Sequence, residues 1–126
     1  MTLRVLGEIR AGWPSPAEEE LIDSIDLNEY LVPHPSQTFI ICVKGDSMID
    51  AGIHPGDLAV VERGRKPEHR DIVIAEVDGS WTMKYYELSG KTVRLVPANG
   101  KYAVIVPRHE LRVNGVVVAV LRKIKK

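Results

Sequence analysis

From Gln37 onward the chain is a succession of short β-prone runs separated by turn chemistry, and that spacing restricts its fold more than any other feature. The runs are Phe39–Val43, Asp57–Glu62, Asp71–Val77, Trp81–Glu87, Thr92–Val96, Ala103–Val106 and Leu111–Leu121. Between them stand His54-Pro55-Gly56-Asp57, Asp78-Gly79, Ser89-Gly90 and Asn99-Gly100, residues that set turn backbones or tolerate them. Asp78-Gly79, with strand-like residues on both sides, predicts a tight hairpin. Strands this closely spaced predict a mainly β protein of curled or barrel-like sheets rather than an open βαβ sheet.

The first 36 residues read differently. Leu3 and Val5 suggest a short extended arm, with Glu8-Ile9 as its possible continuation, ahead of Ala11-Gly12. Trp13-Pro14-Ser15-Pro16 then forbids regular pairing, because proline has no amide donor and pushes the residue before it toward extended geometry. Ser15 at an N-cap, Pro16 at the first helical position and Glu18 as its capping-box partner predict a short helix through about Ser24. Asp26–Leu31 predicts a further helical turn that closes before Pro33 and Pro35. A chain of 126 residues fits one domain with a single core. Aromatics are 6% of it, so that core should consist of Val, Ile and Leu.

Several function classes drop out on composition. No apolar run approaches the ~20 residues that span a bilayer, and no signal-peptide pattern opens the chain, so no membrane association is expected. A single cysteine, Cys42, excludes an internal disulfide and reads as a buried strand residue. His34, His54, His69 and His109 show no recurring ligand spacing, and Asp46, Asp50 and Asp57 read as turn or surface groups, so neither metal nor cofactor is expected. Charge is divided: residues 1–62 hold 3 Lys/Arg and 11 Asp/Glu, residues 63–126 hold 14 and 6. The basic end, Arg122–Lys126, is either a solvated terminus or a contact for nucleic acid or an acidic partner.

Two short stretches bear chemistry. Gly45-Asp46-Ser47-Met48 leaves an apolar strand with a serine beside a glycine, where the amides of Asp46 and Ser47 have room to converge on a developing oxyanion. Trp81–Tyr86 holds one lysine, Lys84, among bulky residues; alternation puts Thr82, Lys84 and Tyr86 on one face. Drawn from water, such a lysine loses pKa and can take a serine proton. Taken singly, Ser47 is also an ordinary turn serine and Lys84 a strand lysine snorkelling to solvent. Pattern alone leaves both readings standing.

The ordered set Ser15-Pro16-Ala17, Ile25-Asp26-Leu27-Asn28, Gly45–Asp50, Gly52-Ile53, Gly56-Asp57, Asp71–Ala75 and Trp81–Lys84 resembles the UmuD- and LexA-type self-cleaving Ser–Lys peptidases, peptidase family S24, and most of all its UmuD branch. The likeness runs from Ala11 to Leu121. It implies strongly curled β-sheets of the LexA/UmuD C-terminal-domain type with a short N-terminal helix. It also implies Ser47 as nucleophile, Lys84 as general base and Ala11-Gly12 as the cleaved bond, which divides the chain into an arm, 1–11, and a peptidase-like β domain, 12–126. The further implications are a cytoplasmic homodimer, cleavage stimulated by a RecA–single-stranded-DNA filament during the SOS response, and a product that serves an error-prone Y-family translesion DNA polymerase as accessory subunit. LexA-type repressors carry a winged-helix domain where this chain has only 11 residues before Gly12, so no direct sequence-specific DNA binding is expected. The competing reading is a dimeric module that does not cleave and binds a Y-family polymerase or the RecA filament.

Overall fold

β-Branched and aromatic residues pack well on a pleated surface, and they fill every strand from residue 38 onward in the computed structural model, which describes residues 1–9, 11–12, 23–108 and 110–125. Two compact units divide at Pro33/His34. In the N-terminal unit β1, Thr2–Val5, pairs antiparallel with β2, Asp23–Asp26, in the register Thr2↔Asp26 to Val5↔Asp23. Helix α1, Leu27–Leu31, follows at once. Asp26 caps it, its carboxylate accepting from the Asn28 and Glu29 amides at 2.9 and 3.2 Å. Pro33 stands just beyond the last turn, as expected.

The longer helix expected from Ser15 lies mostly outside the described residues, and its far end is corrected. Asp23 and Ser24 belong to β2. Local capping chemistry is a weak preference, and here pairing with β1 overrides it.

In the second unit β3 (Thr38–Cys42), β4 (Leu58–Glu62), β5 (Ile72–Val77), β6 (Ser80–Ser89), β7 (Thr92–Val96) and β8 (Leu111–Leu121) form one antiparallel sheet. Its order is β3-β4-β8-β5-β6-β7, so the last strand in sequence is central in space. The fold is mainly β, with a six-stranded and a two-stranded sheet among the described residues. Register shifts at Val60/Val61 against β8 and at Ile74/Ala75 against β8 add local twist, which is how so small a sheet curls on itself. The β5–β6 hairpin turns on Asp78 and Gly79 at φ 49° and 87°, the left-handed pair that a two-residue turn matching strand twist requires.

Two clusters form the core. Val73, Ala75, Leu95 and Val116 make one; Ala59, Val61 and Ile74 make the other. The strand expected at Ala103–Val106 is reduced to one bridge, in which Ile105 and Leu95 exchange backbone hydrogen bonds of 2.9 Å. Val104 and Val106 point to solvent, and Pro107 can donate nothing to extend the ladder.

Candidate active site

β3 delivers the chain to a closed loop. The Val43 amide donates to Asp57 O at 2.9 Å and the Gly56 amide to Val43 O at 2.8 Å, so residues 44–55 leave and return at one point. Gly45, at φ 78°, makes the first reversal, in a conformation that a side chain disfavours. Met48 and Ile53 are buried beneath the loop and hold it to the sheet, while Ile49–Ala51 forms a 3-10 turn. Ser47 sits at the crown of this loop, half-buried.

β6 supplies the other side. Lys84 is paired with Val73 and is only 7% exposed. Its Nζ lies 3.2 Å from Ser47 Oγ, 2.6 Å from Thr82 Oγ1 and 3.1 Å from Met83 O. Burial pulls its pKa below that of an ordinary lysine. Among the described residues no carboxylate forms an ion pair with it, so nothing restores the charge that burial disfavours. The three acceptors suit both protonation states. The ammonium can donate to all three; the neutral amine can donate to Thr82 and Met83 and turn its lone pair to the Ser47 hydroxyl. A serine held against a buried, uncompensated lysine has the arrangement that a nucleophile and its base require.

A cleft of about 270 Å³ opens beside Ser47, lined by Ile41, Val43, Met48 and Met83 with Trp81 at one side. Its apolar walls suit an extended peptide with small or aliphatic side chains. Thr82 escaped the residue reading although alternation had placed it on the Lys84 face; only the fold shows that its hydroxyl meets the amine. Asn99 and Tyr102 gave no signal beyond turn chemistry, yet both reach Asp46: Asn99 Nδ2 donates to Asp46 O at 2.9 Å and Tyr102 Oη to Asp46 Oδ1 at 2.6 Å.

Ala11 and Gly12 lie in the N-terminal unit, where both are exposed and Gly12 has φ 118°. Three expectations need correction. Cys42 is exposed, because β3 is the outer strand of its sheet and Cys42 stands opposite Leu58, itself 40% exposed. Asp57 belongs to the His54–Asp57 turn but not to the surface: it is 2% exposed and accepts from the His54 amide at 2.8 Å and from Arg122 Nε and Nη2 at 2.7 and 2.6 Å. Arg122 is accordingly not part of a free basic end. Its guanidinium also donates to Gly52 O at 2.7 Å. Among the described residues no group of three His, Cys, Asp or Glu side chains is placed to hold a metal, and no helix is long and apolar enough to cross a membrane.

A family model described as Peptidase S24-like matches residues 4–118. The chain is 43% identical over 113 residues to Protein SamA of Salmonella typhimurium, a match covering 90% of this chain and 79% of that protein. With Protein ImpA of Escherichia coli it shares 49% over 75 residues, 60% of this chain and 52% of the relative. With LexA repressor 2 of Geobacter sulfurreducens it shares 40% over 126 residues, 98% of this chain and 61% of the repressor. The matches thus span about half of ImpA and about three fifths of the repressor.

Proposed function

This chain belongs to the peptidase S24-like family, and from that membership we propose that it is a self-processing serine peptidase in which Ser47 and Lys84 cleave the Ala11-Gly12 bond. The observation that carries the reading is the 3.2 Å approach of Lys84 Nζ to Ser47 Oγ on a lysine that is buried without an ionic partner.

Neutral Lys84 takes the Ser47 proton as Oγ attacks the Ala11 carbonyl carbon. The carbonyl oxygen becomes an oxyanion, received by the backbone N–H groups of Asp46 and Ser47. The Lys84 ammonium then returns its proton to the Gly12 nitrogen as the C–N bond breaks, leaving Ala11 esterified to Ser47. Water, deprotonated by Lys84, hydrolyses that ester and restores the serine. At pH 7 an ordinary lysine is neutral only about once in 2,500 molecules, so the burial of Lys84 supplies base that an exposed lysine would lack. Having substrate and nucleophile on one chain gives a high effective concentration, so tight peptide binding is not needed. Residues 1–11 are then the released arm and 12–126 the product.

The resemblance to UmuD-type proteins supports a wider role: a cytoplasmic homodimer of the SOS response, cleaved under the stimulus of a RecA–single-stranded-DNA filament, whose product assists a Y-family polymerase in error-prone synthesis. Incubation of the full chain at alkaline pH, or with activated RecA filament, should give a new N-terminus at Gly12. Ser47→Ala and Lys84→Ala should each abolish that product; its persistence in either variant overturns the dyad. A folded chain that stays intact under both conditions yet binds the polymerase would establish the non-cleaving module in its place.

A further inference from the structure

The loop bearing Ser47 is tied, on the side away from Lys84, to the segment that follows β7. Ala98 N–H donates to Ser47 O at 2.8 Å, and Ala98 O accepts from the Asp50 amide at 2.8 Å. Asn99 Nδ2 donates to Asp46 O at 2.9 Å. Tyr102 Oη donates to Asp46 Oδ1 at 2.6 Å, and Lys101 Nζ stands 4.0 Å from Asp46 Oδ2. The segment has its own internal brace, since the Lys101 amide donates to Asn99 Oδ1 at 3.0 Å and the Tyr102 amide to Asn99 O at 3.1 Å. Both carbonyls that flank the Ser47 backbone are therefore held by residues 98 and 99, the Asp46 carbonyl accepting also from the Ile49 amide at 3.1 Å within the loop.

A peptide unit is planar and trans, so its C=O and N–H point in opposite directions. The Asp46 carbonyl and the Ser47 N–H belong to the same unit. Anchoring one against Asn99 aims the other away from Asn99. Among the described residues the Ser47 N–H has no acceptor, nor have the amides of Lys44, Gly45 and Met48 near it, whereas the amides from Ile49 to Ile53 are paired.

We propose that Asn99 and Tyr102 form a latch of positioning residues that fixes the peptide plane between Asp46 and Ser47 and so aims the Ser47 N–H at the developing oxyanion. The inference rests on the peptidase reading above and assigns to residues 98–102 a part in it that neither the dyad nor the fold requires. Asn99 holds the plane directly. Tyr102 holds the Asp46 side chain, and the bond between them keeps the Asp46 carboxyl below its usual range and the Tyr102 phenol above its own. The latch touches neither Lys84 nor Thr82. It should thus act on the rate of the chemical step and leave the proton affinity of the base alone.

The test is the rate of self-cleavage of the full chain across a pH series, followed by mass. Asn99→Asp keeps the acceptor for the Lys101 amide, but replaces the donor to Asp46 O with a carboxylate that the carbonyl repels. It should lower the high-pH plateau about ten- to a hundredfold, less than or comparable to deleting an oxyanion donor. Tyr102→Phe should lower the plateau about fivefold, with no change of midpoint. A plateau within twofold of wild type in Asn99→Asp overturns the latch. So does a fall in Tyr102→Phe accompanied by a displaced midpoint, because that variant adds no charge and the effect would then lie on Lys84. Should Asn99→Asp fail to fold, Tyr102→Phe decides, the latch being overturned by a plateau equal to wild type or a displaced midpoint. If the wild type cleaves at no pH, the peptidase reading fails separately, and the Ser47 amide resonance judges the latch: displaced in Asn99→Asp, it supports a held peptide plane; unmoved, it overturns it.

Discussion

Lys84 has three acceptors and room for no water-exposed charge, and the chemistry of the site follows from that count. Of the three, the Thr82 hydroxyl is nearest, at 2.6 Å. In the charged state it takes one N–H of the ammonium; in the neutral state it takes one of the two that remain, so it orients the lone pair toward Ser47. Burial lowers the Lys84 pKa, and in the proposed mechanism the neutral form is the active one. The cleavage rate should therefore rise with pH and level off at a midpoint below that of an exposed lysine. Thr82→Val removes an acceptor that the ammonium needs more than the amine does. Its profile should have a midpoint displaced to lower pH and a plateau about tenfold down, the equivalent of ~1.4 kcal/mol in the barrier. A midpoint moved upward would contradict the assignment of Thr82.

At the scale of elements, β8 and the loop after β3 are joined by an ion pair whose Asp57 carboxylate is buried and whose Arg122 guanidinium is partly open to solvent, rather than by strand pairing alone. Arg122 stands just past the end of β8 and grips Asp57 and Gly52 O, at the place where the Ser47 loop rejoins the sheet. Its guanidinium, with the His54 amide, holds the Asp57 carboxyl at about 2 against an ordinary 3.8. A carboxyl whose folded pKa is depressed favours folding above its unfolded pKa and loses that contribution as pH falls through the folded one. Arg122→Ala should lower the thermal midpoint at pH 7. The gap to wild type should narrow between about pH 4 and pH 2, as Asp57 takes up its proton. A gap constant over that range would show that Arg122 acts by packing. Trimming the basic end to probe a partner should begin at Lys123, since removing Arg122 would also unfasten the loop.

For the molecule as a whole, the restrictive point is the crossing of β4, β8 and β5. Gly115 pairs with Ile74 one residue from the shift in the β5–β8 register. A Cβ built on it would collide with the Val61 side chain and stand 3.1 Å from the Glu62 carbonyl oxygen. The sheet closes tightly enough there to bury Val61, Val73 and Val116 only because β8 carries no side chain at that residue. Gly115→Ala should destabilise the protein by about 1–3 kcal/mol, the usual cost of overpacking a rigid interior, read as a loss of several degrees in Tm. An unchanged Tm would mean that β4 can move aside, contrary to the bulged, tightly curled arrangement that places Lys84 behind Ser47.

Local preferences are visible in sequence because they depend on neighbours along the chain. The runs at Ile72–Val77, Thr92–Val96 and Leu111–Leu121 and the Asp78-Gly79 turn follow from branching or backbone freedom. Ser47 and Lys84 were legible as chemistry but not as neighbours. They are 37 residues apart, one on the loop after β3 and the other on β6, and the sheet order sets β4, β8 and β5 between those two strands. What pairs with what is decided by burial summed over the whole sheet, which no short window contains. For the same reason β2 emerged where a helix was expected, Ala103–Val106 shrank to a bridge, Cys42 fell on an outer strand, and Asp57 was buried against Arg122. Residue types determined the available chemistry and the strand-forming segments; long-range packing alone decided which side chains lie dry and face one another.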